Sequence, residues 1–330
     1  MFSVIVPIYN TGNYIGACIQ SLLEQDESDF EIIAVDDGST DNSPQILDAI
    51  SARDKRLRVY RQENAGQGAA RNFGLSQALG SFVAFVDSDD VVAPDLLSRA
   101  AQHLSDPELD VVSFGIAFRD SAGRTVATRS TGRTFSSSGE IIFFDAMLDR
   151  NFLSSVCNKI YRRSFLVDNG IAFPNLRAYE DSVFSRNVAR HANKVLYMKE
   201  TLYFALTRHG STSRGMSVRS FSLAAEMINC ERGMFYTGVE KLAWRAAFSA
   251  HVARFFAYMI ILSAFRIDND AERASCLKIA DDAGFSVAAA DKQARMLLNL
   301  RVKAQIFLAK RPRLLRMLAV TARRFNVVPY

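Results

Sequence analysis

The residues best suited to chemistry are carboxylates that follow short apolar runs. Asp36 and Asp37 close EIIAV within AVDDGSTD, and Asp87, Asp89 and Asp90 close FVAFV within FVDSDD. Two such clusters at one edge of a sheet repel each other unless something positive sits between them. Mg²⁺ or Mn²⁺ suits that place. Each is a hard cation held by one or two carboxylates plus the oxygens of a bound diphosphate, and Asp87-Ser88-Asp89 offers that arrangement. Asp, Ser and Gly are also ordinary turn residues, so either cluster alone reads as a turn. Both together, each after an apolar strand, favour a site.

A third element, NAGQGAARNFGLSQALG at residues 64–80, sets Gly66 and Gly68 ahead of a helix. The dinucleotide fingerprint fails, because GQGAAR lacks its third glycine and does not follow the first strand. The two glycines allow backbone close to a ligand and the helix N-terminus favours anions. Arg71, one turn in, suits a phosphate or, equally, a neighbouring Asp. Glu180 and Asp181 open EDSVFSRNVARHA, where acidic residues are either routine helix N-terminal bias or catalytic carboxylates. Cys18, Cys157, Cys230 and Cys276 have no metal-ligand spacing and read as buried thiols in a reducing compartment.

Strands must carry these groups. SVIVPI (3–8), EIIAV (31–35), LRVY (57–60), FVAFV (82–86) and DVVSF (110–114) are compact apolar segments suited to a sheet buried on both faces. Helices alternate with them: Ser43 before Pro44 reads as an N-cap with proline in the first turn, and Pro94 plays the same part for PDLLSRAAQHL. That alternation predicts an α/β fold with a mainly parallel, doubly wound sheet flanked by helices, which binds ligands beyond the carboxyl ends of its strands. Residues 115–139 predict a hairpin and a loop, KVLYMKETLYFAL one or two short strands. From about 217 the pattern is helical, with breaks near Asn269, Gly284 and Pro312.

The 330 residues are 49% hydrophobic and 23% charged, which excludes disorder, collagen and small disulfide scaffolds. Residues 215–330 carry 18 Lys and Arg against 9 Asp and Glu, whereas residues 1–214 carry 22 against 26. Two regions with different roles are expected, 1–214 and 215–330. MFSVIVPIYN reads as a first strand rather than a signal peptide. The apolar run from Phe255 to Phe265 is 11 residues long between Arg254 and Arg266, short for a bilayer span. RLLRMLAVTARRF sets Leu314, Met317, Leu318 and Phe325 near one helical face and Arg313, Arg316, Arg323 and Arg324 toward the other. Such a surface suits an anionic membrane, or packs on the region 1–214 or a second subunit of a homo-oligomer. Nucleic acid is a poor candidate, because the basic residues lack interleaved aromatics.

VIVPIYNTGNYIGACIQSLLEQ, IIAVDDGSTDNS, NAGQGAARNFGL and FVAFVDSDD, in this order, resemble the nucleotide-sugar glycosyltransferases of family 2, which have the GT-A fold. The resemblance spans about residues 3–215 and implies a nucleotide-sugar-binding part at about 1–118 and an acceptor-side part at about 119–214. It implies that Pro7 and Tyr9 line the base and ribose, that Asp37 or Asp36 contacts uracil, and that Gly66 and Arg71 lie near the nucleotide. Asp89 matches the direct metal ligand, with Asp87 facing ribose and sugar. Tyr179-Glu180-Asp181 matches the ED motif, whose aspartate is the general base; Glu180 is alternatively acceptor-binding.

By the same resemblance, Asn158-Lys159 matches a segment near the acceptor side, with Lys159 counted among the donor contacts. Arg208-His209-Gly210-Ser211 matches a segment that folds over the diphosphate, with His209 a further metal ligand or phosphate contact. The expected function is a metal-dependent inverting transfer from a UDP-sugar to a glycan or lipid-linked glycan, in the cytoplasm at the inner membrane face. Two rivals are a nucleotidyltransferase, whose basic first loop is missing from PIYNTGNYIG, and a non-catalytic glycan-assembly partner.

Overall fold

FSVIVPI and FEIIAVD are buried at every position, which only a sheet covered on both faces permits. The computed structural model describes residues 1–207, 217–235 and 242–324. Strands β1 (Phe2–Ile8), β2 (Phe30–Asp36), β3 (Leu57–Arg61) and β4 (Phe82–Phe85) lie in the order β3-β2-β1-β4, all parallel. Helices α1 (Ile15–Leu23), α2 (Ser43–Ser51) and α3 (Gln67–Gln77) connect them. The carboxyl ends of these strands therefore share one edge, and the acidic turns emerge there.

Next come β5 (Val91–Val92), α4 (Leu96–Ala101), β6 (Val111–Arg119), β7 (Thr125–Arg129), β8 (Phe135–Ser138) and α5 (Glu140–Met147). They are followed by β9 (Lys159–Arg162), α6 (Arg163–Asp168), α7 (Glu180–His191) and β10 (Lys194–Leu206). The sheet continues β4-β9-β6-β10-β5, with β9 antiparallel to both neighbours and β10 parallel to β6. Its first half is thus wholly parallel and its second half mixed.

Several local expectations change. Ser43 is the first residue of α2 rather than its cap, and its Oγ accepts the Thr11 N–H at 3.1 Å. Pro94 lies two residues ahead of α4, whose cap position is Asp95. Within the expected loop, FSSS forms β8 on the edge of β10, since hydroxyl side chains give little apolar signal. KVLYMKETLYFAL is one 13-residue strand with irregular register against β6. Cys230 is half-buried rather than buried.

The chain forms two compact units: Met1–Ala146 with Asn151–His209, and Met147–Arg150 with Gly210–Tyr330. The second is helical where described: α8 (Val218–Phe235), α9 (Leu242–Arg266), α10 (Asp270–Asp282), α11 (Phe285–Ala290), α12 (Lys292–Leu297), α13 (Leu300–Ala309) and α14 (Pro312–Arg324). Asn269 caps α10 by accepting from the Ala271 and Glu272 N–H groups, and Gly284, at φ 101°, precedes α11.

The 11-residue apolar run is only part of α9, which is 25 residues long. Among the described residues, α9 is the one helix long and apolar enough to cross a membrane by length and composition. Its most apolar stretch is 61% buried, and α10 to α14 pack against it, which makes it the core helix of this unit. The C-terminal helix also differs from expectation. Among its described side chains, Leu315 and Ala319, one turn apart, are buried, while Met317 and Leu318 face outward.

Candidate active site

Parallel pairing sets Ile8 beside Asp36, and the Asp37 N–H donates to the Ile8 carbonyl at 2.8 Å. Asp37 is buried and accepts from Gln62 Nε2 at 2.7 Å, Ala65 N at 2.8 Å and Gly66 N at 2.8 Å. It thus folds residues 62–66 and sets where α3 begins. Gly66 has φ 93°, a region that favours glycine, and its N–H is spent on Asp37 instead of facing a ligand. Asp36 is also buried and accepts the Ser39 N–H at 3.0 Å.

Past β1, Asn10 Oδ1 accepts from Thr40 N at 2.8 Å and Asp41 N at 3.3 Å, clasping this turn to the one after β2. A Cβ on Gly12 would sit 1.8 Å from Asn42 Oδ1, so a larger residue there would displace the Asn42 side chain. Pro7 is buried within β1, while Tyr9 is 48% exposed at the mouth of this turn.

Arg71 joins the donor-side turns to α7. Its Nη2 lies 2.8 Å from Asp87 Oδ1 and its Nη1 3.1 Å from Glu180 Oε1, with the guanidinium over Phe173. Beneath it, Phe173 stacks on Phe184 at 4.0 Å and Phe85 meets both edge-on. Burial opposes its charge, but Asp87, Glu180 and Asp181 outweigh that and raise its pKa. Gly68 permits the approach of α3 to α7: a Cβ there would lie 3.2 Å from Glu180 Cγ and 3.3 Å from Phe173 Cβ.

Tyr179 precedes α7 with φ 65°, the left-handed region, where a bulky aromatic residue is strained. Next to this joint, Asp181 keeps a partly open edge, yet dense protein surrounds it. Desolvation, then the nearby Glu180, push its carboxyl up to about 6, with Arg71 and the Ser182 N–H pulling the other way. The helix N-terminus alone would have lowered it.

Asp87 and Asp89 are half-buried, while Asp90 is buried. Among the described residues no three His, Cys, Asp or Glu side chains form a metal cage. The turn still fits a hard cation, because a site that borrows diphosphate oxygens needs only one or two carboxylates. Charge crowding fits as well: burial first, then Asp87 and Asp89, raise the pKa of Asp90. Asp89 and Asp87 are the residues that would hold such an ion.

Two expected donor contacts have protein partners in this structure. Arg71 is 2% exposed and pairs with Asp87 and Glu180, the carboxylate pairing that the sequence offered alongside a phosphate contact. Lys159 is fully buried, donating to Leu153 O at 2.8 Å, Ser155 O at 2.5 Å and Asn158 Oδ1 at 3.0 Å. It therefore braces the loop at 153–155, whose Ser154 carbonyl accepts from Ser185 Oγ on α7 at 2.9 Å. Arg208 and His209 lie outside the described residues.

The model of glycosyl transferase family 2 matches residues 3–204, the span that carries every turn just described. The chain belongs to glycosyl transferase family 2. It is 35% identical over 205 residues to the putative glycosyltransferase EpsH of Bacillus subtilis, covering 61% of this chain and 59% of that protein. It is 34% identical over 225 residues to glycosyltransferase GlyG of Streptococcus pneumoniae, covering 65% of this chain and 73% of that protein. The chain thus spans little more than half the length of EpsH. A crystal structure of Staphylococcus aureus TarS with UDP-GlcNAc superposes with a TM-score of 0.74 at 26% identity, covering 98% of this chain and 92% of that one. The fold is GT-A.

Within this family 2 chain, Asp37, Arg71, Asp87, Glu180 and Asp181 form one linked cluster. Asp37 fixes the start of α3, α3 carries Arg71, Arg71 holds Asp87 and Glu180, and Asp181 follows Glu180 within reach of the Arg71 charge. The motif reading missed Asn10, Gln62 and Tyr203. Asn10, a small polar residue just past a strand, gave a turn signal. Tyr203 gave none, because only the pairing of β10 brings it to the turn after β4, where the Asp87 N–H donates to its hydroxyl at 3.1 Å.

Proposed function

We propose that this family 2 chain transfers a sugar from a UDP-sugar to an acceptor hydroxyl, with inversion at the anomeric carbon. The observation that carries the reading is the Arg71 bridge between Asp87 and Glu180, beside an Asp181 whose pKa is raised. The UDP-GlcNAc bound in TarS supports a UDP-sugar donor. Exposed Tyr9 offers a face for the base, and Asp36 and Asp37 shape the turn beneath it. Asp89 and Asp87 would hold Mn²⁺ or Mg²⁺, which offsets the charge growing on the departing diphosphate. Asp181 accepts the acceptor's hydroxyl proton as that oxygen attacks from the face opposite the leaving group. Glu180, bonded to Arg71, holds the bridge in place.

Calorimetry of UDP binding with Mn²⁺ tests the donor site. Asp89→Ala should weaken that binding by at least about 100-fold, since even residues behind a metal ligand commonly contribute 10- to 100-fold. Unchanged affinity in the variant would remove the metal role from Asp89. Release of UDP from a panel of UDP-sugars identifies the donor.

The reading extends to a glycan or lipid-linked glycan acceptor in cell-surface polysaccharide synthesis, met in the cytoplasm at an anionic membrane surface. The cysteines are free thiols, as suits a reducing compartment. No acidic residue follows Asp291. On α13, Val302, Ile306 and Ala309 turn inward, while Leu300 (84% exposed), Ala304 and Phe307 (51% exposed) form an outward apolar stripe between Arg301 and Lys303. The Arg311 guanidinium lies 3.5 Å over the Phe307 ring. A two-fold contact with a second copy would oppose like charges, so anionic lipid is the favoured occupant.

The protein should co-sediment with vesicles containing phosphatidylglycerol and not with pure phosphatidylcholine, and high salt should release it. Arg301→Glu with Lys303→Glu should abolish binding. Protein left in the supernatant sinks this part of the reading, and a dimer by sedimentation velocity would assign the stripe to a second copy.

A further inference from the structure

Asp90 is the last acid of the FVDSDD turn, and unlike the half-buried Asp87 and Asp89 it is buried, with its carboxylate bonded to β10. Its Oδ2 accepts from the Tyr203 hydroxyl at 2.6 Å and its Oδ1 from the Leu206 N–H at 2.7 Å, both on β10. The Tyr203 hydroxyl in turn accepts the Asp87 N–H at 3.1 Å. The Asp90 N–H donates to the Asp87 carbonyl at 3.0 Å, which closes the turn, and β5 then pairs antiparallel with β10 through Val91 and Val92. Both Asp90 oxygens are thus engaged by protein donors, and both ends of the turn are tied to one strand.

We infer that Asp90 and Tyr203 are positioning residues, which hold the Asp87-Ser88-Asp89 backbone in register with the end of β10 so that Asp89 presents its carboxylate to the cation and diphosphate. Asp90 itself is not a ligand. The inference rests on the transferase reading above and adds to it the device that keeps the donor turn formed. A strand end fixed this way pre-organises the turn, so its loss falls on donor affinity and not on the chemical step.

The test is calorimetric binding of UDP with Mn²⁺, beside KM and kcat for the donor, in protein whose fold is checked by circular dichroism and melting. Tyr203→Phe keeps the ring and removes the hydroxyl. It should weaken UDP binding and raise donor KM by about tenfold, with kcat nearly unchanged. Asp90→Asn keeps an acceptor for the Leu206 N–H and a polar partner for Tyr203, so it should stay within about threefold of wild type, whereas Asp90→Ala should lose about 10- to 30-fold. Asp89→Asn is the reference for a true ligand.

If Asp90→Asn is as damaging as Asp89→Asn, Asp90 is a ligand and the inference fails. It fails too if Tyr203→Phe binds UDP like wild type, or if its loss appears in kcat with KM unchanged. Should Tyr203→Phe not fold, the contrast between Asp90→Asn and Asp90→Ala decides. Wild-type protein that binds no UDP would instead overturn the transferase reading, a result distinct from these.

Discussion

Asp181→Asn is expected to lower kcat by about 10²- to 10⁴-fold, the usual contribution of a positioned general base, while donor affinity stays nearly unchanged. The substitution preserves shape and removes only the capacity to take a proton. Because the Asp181 carboxyl titrates at about 6, it works as a base only once ionised. Transfer should therefore fall as pH drops through about 6 and level off above it. A rate profile that stays flat from pH 5 to 8 would place the base on another residue.

The same shift carries a stability consequence. A carboxyl whose folded pKa lies above its unfolded value of 3.8 stabilises the fold while protonated, and that contribution is lost as pH rises through about 6. Asp181→Asn should then melt higher than wild type at neutral pH, by on the order of 1–2 kcal/mol once its partly open edge is allowed for. Gain of stability with loss of transfer would mark the desolvated Asp181 carboxylate as a group kept for catalysis at a cost in stability.

Arg71→Met is expected to have the largest effect on the fold. It removes the one guanidinium that bridges Asp87 and Glu180 and leaves two carboxylates beside an aromatic cluster without their partner. Breaking a buried ion pair from one side typically costs about 3–5 kcal/mol. Arg71→Lys should recover little, since a single ammonium cannot hold two carboxylates in the geometry of a planar fork. In protein that remains folded, Asp181 loses a nearby cation that had held its pKa down, so the acid limb of the rate profile should move above pH 6. Chemical denaturation measures the first effect and the pH profile the second. A variant as stable as wild type would contradict the bridge.

The chemical inventory could be read in advance because it depends on local order. A β-branched run that must be buried on both faces marks a strand, and the residue after it is fixed by chain continuity. Asp36, Asp37, Asp87 and Asp89 therefore declared themselves as strand-end carboxylates. Periodicity similarly marked α7, with Glu180 and Asp181 in its first turn.

Partners could not be read, because hydrogen bonds and ion pairs form across long separations. For Arg71 the sequence left a phosphate and a neighbouring Asp equally open, and only folding brought Glu180, 109 positions away, within 3.1 Å of it. Nor could the partners of Lys159 be read, two backbone carbonyls of residues 153 and 155 and the Asn158 side chain. The amphipathic pattern of α14 was visible, yet which of its faces is buried was set by the packing of Leu315 and Ala319.

The amino-acid order by itself determined the parallel strands of the first half-sheet, the acidic turns that leave them and the membership of a transferase family. Tertiary structure decided which charges meet, how deeply each is desolvated and hence which carboxylate is tuned to take a proton. Side-chain identity is a local property, whereas a pKa or an ion pair depends on every charge and dipole within reach, and those are assembled only when distant segments pack together.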